Sequence, residues 1–426
     1  MKNPQSLKNP PPLPSLAQYR SEFHIPPFGS DELAYFAGNS LGLMPRTVRA
    51  MLEVELNSWQ EHAVEGHFRG QNPWMHYHHL CTPSLARITG AEEDEVVCTN
   101  SLTTNLHLLM VSFFRPTDQR NIILMESGAF PSDQYAVETQ LRFHGLNPAD
   151  CLVELKPAAG RRTLSSEQIR DAIHQYGNRI ALVLMPGVQY QTGQVFDMAE
   201  ITRLGHAVGA VVGFDLAHAV GNINLKLHEW GPDFAVWCSY KYLNSGPGGP
   251  GGLFVHQRHA QNPDLPRFAG WWGHDESSRF EMQPGFKPMH GAAGWQLSNA
   301  PVLGMAAHRA SLEIFDRAGM EHLQERAAAL SAYLRHRLED IQQRRGRHAI
   351  ELITPHEHGS YGCQQSFSVG HRGEELLRYL QQNGALLDFR RPDILRMTPV
   401  PLYNQAREID LCCDLIDHWL EQYSST

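Results

Sequence analysis

From about residue 95 onward, short apolar runs alternate with helical stretches. Two runs, IALVLMPG over 180–187 and AVVGFDL over 210–216, are apolar at consecutive positions, as expected of strands buried on both faces of a sheet. The segment SSEQIRDAIHQYG over 165–177 opens with serines, has helical apolar spacing and closes on glycine, which predicts a capped helix. Strands alternating with helices favour an α/β fold with a mostly parallel sheet. Further strands are predicted over 95–100, 121–126, 234–240 and 251–256.

The two ends of the chain have a different texture. Prolines at positions 4, 10, 11, 12 and 14, with a pair at 26 and 27, predict an extended arm. The apolar spacing over 47–65 predicts a helix, whereas long charged helices are predicted over 311–345 and 405–422. We therefore predict an N-terminal arm and helix over 1–65, a large α/β domain over 66–310 and a small α+β domain over 311–426.

Composition excludes several classes of protein. The 426 residues include 36 Lys and Arg against 45 Asp and Glu, a formal net charge of −9, which argues against nucleic acid or an anionic membrane as the main partner. Seven scattered cysteines form no CxxC pair, so neither a disulfide framework nor a structural zinc site is expected. The first residues lack the apolar core of a signal peptide, and no apolar run is long enough to cross a membrane. We expect a cytoplasmic protein.

Polar residues follow the predicted strands where each strand ends. Asp215 ends one run and is followed by His218, and the next run leads into Tyr240 and Lys241. In a parallel sheet the ligand site lies outside the carboxyl ends of the strands. Two other strands lead into helices, over 100–103 and 126–133, and paired helix N-termini bind anions. A lysine, a carboxylate and a phosphate cradle are the parts that a pyridoxal phosphate enzyme needs.

Each of these features has an ordinary structural explanation when it stands alone. An aspartate after a strand usually serves a turn or caps a helix. The glycine-rich NSGPGGPGG segment over 244–252 matches neither common nucleotide-binding motif. Three histidines in HYHH (His76, His78 and His79) have no acidic residue nearby in the sequence, and such a segment is more often on the surface, so we expect a surface cluster and no metal site.

Taken together, the motifs resemble those of kynureninase, a pyridoxal-phosphate hydrolase of the aspartate-aminotransferase-like fold, called fold type I. The resemblance extends from FAGNSLGLMP (36–45) to LRMTPVPLYN (395–404). Its most specific pieces are NSLTTNLHLLM, FPSDQYA, FDLAHAVGN, CSYKYLNSGPG, GWWGH and QLSNAP. It implies cleavage of L-kynurenine or 3-hydroxy-L-kynurenine to the corresponding anthranilate and L-alanine, in tryptophan catabolism or NAD biosynthesis. It also implies a homodimer with shared active sites.

The resemblance assigns roles position by position. Lys241 is the lysine that bonds to the cofactor aldehyde and then moves protons, Asp215 pairs with the pyridinium nitrogen, and Tyr240 is a candidate proton relay. Trp271 and Asn299 match positions that reach the site from the second subunit. The other implied cofactor-binding residues are Leu102, Thr103, Phe130, Ser132 and His218, and the implied substrate-binding residues are Ser40, His67, Trp272, Asn299 and Arg396.

Alternative functions remain within and outside the same fold. A class V aminotransferase is one, and a cysteine desulfurase, for which Cys363 in YGCQQS would be the candidate nucleophile, is another. A non-catalytic dimeric scaffold is the alternative outside enzymes, although Lys241 and Asp215 argue against it.

His67 and Asn299 can hydrogen-bond a ring hydroxyl, which favours 3-hydroxykynurenine as the preferred substrate.

Overall fold

The chain divides into two compact units in a computed structural model that describes residues 16–260, 262, 264–357 and 359–423. The first unit comprises the chain up to Arg46, Val188–Val195 and the chain from Ile314, and the second comprises Thr47–Gly187 and Phe196–Glu313. Prolines 4 to 14 of the predicted arm lie outside the described residues. The division into regions 1–65, 66–310 and 311–426 stays a prediction.

The helices follow the predicted spacing closely. The α-helices of the described residues are α1 (Val48–His62), α2 (Thr82–Thr89), α3 (Leu102–Phe113), α4 (Pro131–Phe143), α5 (Pro148–Cys151), α6 (Ser166–Tyr176), α7 (Met198–Ala207), α8 (Leu227–Trp230), α9 (Val302–Ala318), α10 (Met320–Arg345), α11 (Gly373–Gln382) and α12 (Ala406–Tyr423). Short 3₁₀ turns lie between them, including Trp74–Leu80 and Trp271–Gly273. None of the helices in the described ranges is both long and apolar enough to cross a membrane.

The strands include all six of the predicted apolar runs. In the described residues they are β1 (Pro27–Phe28), β2 (Asp31–Glu32), β3 (Ala34–Tyr35), β4 (Val96–Cys98), β5 (Ile122–Glu126), β6 (Leu152–Leu155), β7 (Ile180–Pro186), β8 (Val211–Asp215), β9 (Phe234–Cys238), β10 (Gly251–Val255), β11 (Glu351–Leu352), β12 (Gln365–Ser368), β13 (Ala385–Leu386), β14 (Asp388–Arg390) and β15 (Ile394–Met397). The runs alone did not reveal β6, in which only Leu155 is buried.

Local sequence signals explain where two helices begin and end. Ser165 caps α6 by accepting a hydrogen bond from the Gln168 amide, and the Gln168 side chain accepts one from the Ser165 amide in return. The long helix predicted over 311–345 is wrong in one respect, because the structure breaks it between α9 and α10 at Gly319. Gly319 has a φ of +74°, which a residue with a side chain rarely adopts.

The second unit is built on a seven-stranded sheet in the order β4-β10-β9-β8-β7-β5-β6. Neighbouring strands are parallel except for β10, which runs antiparallel to both β4 and β9. A buried cluster that includes Leu106, Ile123, Leu182 and Val236 packs helices against this sheet. The predicted α/β architecture with a mostly parallel sheet is therefore confirmed. The carboxyl ends of β4, β5, β7, β8 and β9 meet at one edge.

The first unit has its own antiparallel sheet in the order β11-β12-β15-β14. Its core is a separate cluster in which residues of α10, α11 and α12 pack with sheet residues such as Phe367 and Leu395. A short parallel pair joins β13 to β3, with Ala385 opposite Ala34. This α+β arrangement holds the N-terminal strand β3 and the C-terminal residues in one unit.

Candidate active site

Lys241 and Asp215 follow adjacent strands of the central sheet. β8 and β9 are parallel, with Asp215 opposite Val236, so both strands end at the same edge. Lys241 Nζ lies 2.9 Å from His218 Nε2 and 5.9 Å from the centroid of the Phe130 ring. The structure therefore brings together a lysine, an imidazole and an aromatic face that the sequence predicted for one site.

A second carboxylate lies beside Asp215, and sequence reasoning gave it no role. Asp133 is in the first turn of α4 and is 6 % exposed. Burial raises the pKa of Asp133 well above its usual range, and the charge and hydrogen bonding of Asp215 raise it further. Two buried carboxylates this close do not both ionise readily, so the protonated form of Asp133 is favoured. The only sequence signal was its position in the FPSDQYA motif.

The N-termini of α3 and α4 are tied together. Thr103 Oγ1 lies 2.8 Å from Ser132 Oγ, which joins the first turns of the two helices. Helix N-termini present free amides and a positive dipole end, which favour an anion. A Cβ on Gly251 would lie 3.0 Å from the Leu102 amide nitrogen, so only glycine leaves that approach uncrowded. This arrangement suits a phosphate group.

Tyr240 lies half-buried between the β9 end and Lys241. Burial raises the pKa of its phenol above its usual range, and the neighbouring Cys238 and the charge of Asp215 add to this shift. The hydroxyl therefore stays protonated at neutral pH. Such a group can donate a proton but is a poor base.

The remaining predicted residues of this unit lie in other contacts. Trp271 is 43 % exposed, while Trp272 is 1 % exposed and lies 4.7 Å from the Arg279 guanidinium. His67 Nδ1 lies 3.0 Å from the Val64 carbonyl oxygen, and Asn299 is exposed. None of these four side chains takes part in the contacts of Lys241 described above.

Arg396 belongs to the first unit and is fully buried there. Its guanidinium lies 2.7 Å from a carboxylate oxygen of Asp388, donates to the Tyr190 carbonyl at 2.7 Å and donates to Ser40 Oγ at 3.1 Å. Ser40 also hydrogen-bonds Asp388. Sequence reasoning missed Asp388. Its carboxylate pairs with the Arg396 guanidinium, which the resemblance assigns to substrate binding. The predicted roles of Ser40 and Arg396 stay predictions.

Comparison with known proteins identifies the family. The chain is 55 % identical over 394 residues to a kynureninase of Koribacter versatilis, covering 92 % of each chain. It is 52 % identical to a kynureninase of Stenotrophomonas maltophilia, covering 95 % of each chain. The chain belongs to the kynureninase family. The model of the kynureninase C-terminal domain also matches residues 323–416. The resemblance predicted from the motifs is confirmed.

Solved structures similar to this kynureninase-family chain share its fold at low identity. One is a cysteine desulfurase of Escherichia coli, with a TM-score of 0.76 and 18 % identity, covering 96 % of this chain and 98 % of that one. Another is a C-DES mutant with glycine covalently linked to its PLP cofactor, also with a TM-score of 0.76 and 18 % identity, covering 93 % and 99 %. At this identity the likeness establishes the fold alone.

Proposed function

We propose that the chain hydrolyses the Cβ–Cγ bond of L-kynurenine, giving anthranilate and L-alanine in tryptophan catabolism or NAD biosynthesis. The observation that carries the proposal is the 55 % identity to a kynureninase along nearly the whole chain. The Lys241, His218 and Asp215 arrangement at the sheet edge is the chemical counterpart of that likeness. Both point to pyridoxal phosphate as the cofactor.

The residues at the sheet edge fit pyridoxal phosphate. Lys241 would hold the aldehyde, Asp215 the ring nitrogen and the first turns of α3 and α4 the phosphate, with Thr103 and Ser132 adding hydroxyls. A buried oxygen of Asp133 has no hydrogen-bond partner among the described residues, as expected where a ligand group belongs. Bound pyridoxal phosphate supplies an electron sink that labilises the bonds around the substrate Cα and Cβ.

The chain's own side chains can then move the protons. His218 Nε2 is 2.9 Å from Lys241 Nζ, so a proton can pass between amine and imidazole. Asp133, whose pKa is raised by burial and by Asp215, can hold a proton at a buried position beside the ring-nitrogen partner. Because the pKa of Tyr240 is raised, its hydroxyl stays protonated and can donate to a carbon that leaves with its electron pair.

The direct test mixes the purified protein and pyridoxal phosphate with L-kynurenine, and separately with 3-hydroxy-L-kynurenine. We expect anthranilate-type fluorescence to appear together with stoichiometric L-alanine. Release of no anthranilate from either substrate by the cofactor-loaded protein would overturn the proposal. Pyruvate or sulfide from other amino acids would indicate a different fold type I reaction instead.

For the substrate, we propose a preference for 3-hydroxykynurenine. His67 and Asn299 carry polar groups that can pair with a ring hydroxyl, and a site built for a hydroxyl loses more when the hydroxyl is missing than an apolar pocket does. Replacing both by smaller residues should shift kcat/KM toward kynurenine. A tenfold preference of the unaltered enzyme for kynurenine, about 1.4 kcal/mol, would contradict this proposal alone.

We also propose that the enzyme is a homodimer. Trp59, Val64 and Leu303 are 61 %, 71 % and 42 % exposed, although large apolar side chains are usually buried. Trp59 and Leu303 line the same cavity of about 380 Å³, together with residues 300–302. Light scattering should give twice the chain mass, and Trp59→Glu should reduce it to the chain mass. A monomeric active enzyme would contradict the dimer.

A cysteine desulfurase is the alternative that the solved structures raise, and the thiol chemistry does not favour it. Cys363 is fully buried, and burial raises its pKa to about 12. A desulfurase nucleophile must be a reachable thiolate. All seven cysteines are buried and none forms a disulfide, which is compatible with a reducing compartment, and we propose that the enzyme acts in the cytoplasm.

A further inference from the structure

A cluster of histidines that sequence reasoning assigned to the surface has an acidic partner in the fold. His76, His78 and His79 lie in the 3₁₀ turn Trp74–Leu80. About 200 positions later in the chain, Glu276 comes to lie against all three rings. We propose that these four residues form a binding site for a divalent transition metal ion such as Zn²⁺. This inference is independent of the proposed function.

The spacing of the ligand atoms matches a tetrahedral metal centre. His76 Nδ1 lies 3.1 Å from one Glu276 oxygen, and the other oxygen lies 3.5 Å from His79 Nε2 and 3.9 Å from His78 Nε2. Two ligands about 2.1 Å from Zn²⁺ in tetrahedral geometry are about 3.4 Å apart. The atoms of His76, His79 and Glu276 all lie within 4.8 Å of one another. One ion can therefore contact them after small side-chain rotations.

The backbone around His76 brings the exposed ligands together. Two short 3₁₀ turns meet at His76, which has non-helical backbone angles, and the centroids of the His76 and His79 rings lie 6.0 Å apart. Their side chains are 58 % and 52 % exposed, so an ion can enter from solvent. A cavity of about 540 Å³, lined in part by Glu276, Asp275 and His290, opens beside the site and leaves room for a water ligand.

His78 gives an independent reason to expect a ligand here. Its side chain is 1 % exposed, and neither ring nitrogen has a hydrogen-bond partner among the described residues. A buried imidazole without partners costs free energy, and native proteins rarely leave one in that state.

A second histidine and carboxylate cluster shows what a satisfied structural group looks like. Glu95, His228 and His256 are also close enough to hold an ion. However, the two Glu95 oxygens accept backbone hydrogen bonds from Gln257 at 2.8 Å and from Glu92 at 2.9 Å. Glu95 thus has partners without a metal. By contrast, the Glu276 oxygen nearest His78 and His79 accepts no backbone hydrogen bond among the described residues, and its neighbours are the two imidazoles.

A bound ion would clip two segments together. It would join the turn Trp74–Leu80 to the segment that carries Trp271 and Trp272. The buried ring of Trp272 packs on Arg279. The Arg279 guanidinium is a nearby positive charge, and the carboxylates of Glu276 and Asp275 offset it. We therefore expect the ion to stabilise this part of the second unit rather than to take part in the reaction.

The test uses tag-free holoenzyme with Zn²⁺ or Co²⁺ as the probe. Equilibrium dialysis should show one more Zn²⁺ per chain in the unaltered protein than in Glu276→Gln. Co²⁺ should give the visible absorption of a tetrahedral centre, and that band should be absent in Glu276→Gln. His76→Gln and His79→Gln should each raise the Kd for the metal by about tenfold or more. Loss of a residue that only hydrogen-bonds a metal ligand already weakens metal binding by about this factor.

His336→Gln is the matched control, because His336 also pairs with a single carboxylate, Asp340, at 3.5 Å. It should bind as much metal as the unaltered protein. If Glu276→Gln does not fold, His76→Gln and His79→Gln decide the question, since both side chains are exposed. Equal stoichiometry and Kd in the unaltered protein and in these variants would overturn the site, whatever the enzyme's activity toward kynurenine.

Discussion

The central sheet has buried carboxylates at two opposite edges. At the carboxyl ends of β8 and β9, Asp133 lies beside Asp215, another acid. At the other edge, Asp233 directly precedes β9 and accepts from the Val212 amide at 2.7 Å. Its neighbours there are cationic or can become so: His206 at 2.9 Å, Arg258 at 2.6 Å and His259 at 2.8 Å.

The two edges differ in the sign of the charge that each acid meets. Burial alone would raise the pKa of Asp233, but hydrogen bonds from His206 and His259 and the Arg258 charge hold it well below its usual range. Burial and Asp215 move the pKa of Asp133 in the opposite direction. The far edge is therefore electrostatically complete in this chain, whereas at the near edge the charge of Lys241 only partly offsets burial and the second acid, and the pKa of Asp133 stays raised.

The largest effect is expected at Lys241. Lys241→Ala removes the amine that would bond to the cofactor, so kcat should fall by about 10⁴-fold or more. Little packing is lost because the side chain is only half-buried, and the melting temperature should change little. Activity assays with L-kynurenine measure kcat, and a thermal melt measures the melting temperature. Near-normal turnover by this variant would remove Lys241 from its role.

A smaller loss of activity is expected for Asp215→Asn. The amide lacks the charge that would hold the cofactor ring nitrogen protonated, so kcat should fall by about a hundredfold. Lys241 remains in place, so the variant should still bond to pyridoxal phosphate, which its absorption spectrum will show. If its kcat equals that of the unaltered enzyme, the near edge does not need the Asp215 charge.

At the far edge the expected effect is on stability. Asp233→Asn leaves Arg258 and two histidines without a carboxylate, which should lower the free energy of unfolding by about 2 kcal/mol; the partial exposure of Arg258 and His206 limits the loss. A lowered native pKa stabilises above the unfolded value of about 4. The loss should therefore be full at pH 7 and shrink as pH falls below about 4. Urea unfolding across pH measures it, and kcat should not change.

The smallest effect, of opposite sign, is expected for Asp133→Asn. The raised pKa means that Asp133 stabilises below about pH 4 and that this contribution is lost as pH rises toward the folded value. Between pH 4 and pH 8 the free energy of unfolding of the cofactor-free protein should therefore fall by about 1 kcal/mol less in Asp133→Asn than in the unaltered chain. Parallel pH profiles for Asp133→Asn and Asp233→Asn would contradict the contrast between the edges.

Much of the near edge could be predicted because its signals are local. Asp215 and Lys241 stand where apolar runs end, and parallel strands end at a common edge. Asp133 is in the same motif as Ser132, yet no local pattern indicates that its carboxyl reaches Asp215. Asp388 was missed for the same reason. It lies opposite Arg396 on the neighbouring antiparallel strand, and the register of the two strands decides which residues lie opposite each other.

The amino-acid sequence by itself determined the α/β class, the six apolar strands and the family, and it placed Lys241 and Asp215 at the ends of neighbouring strands. These follow from hydrophobic period, strand ends and motifs, all of which act over a few residues. Only the tertiary structure decided which charges meet. It paired Asp133 with Asp215, surrounded Asp233 with His206, Arg258 and His259, and brought Glu276 to three histidines far away in the chain. Electrostatic energy depends on distance in space, and folding alone sets that distance for residues remote in sequence.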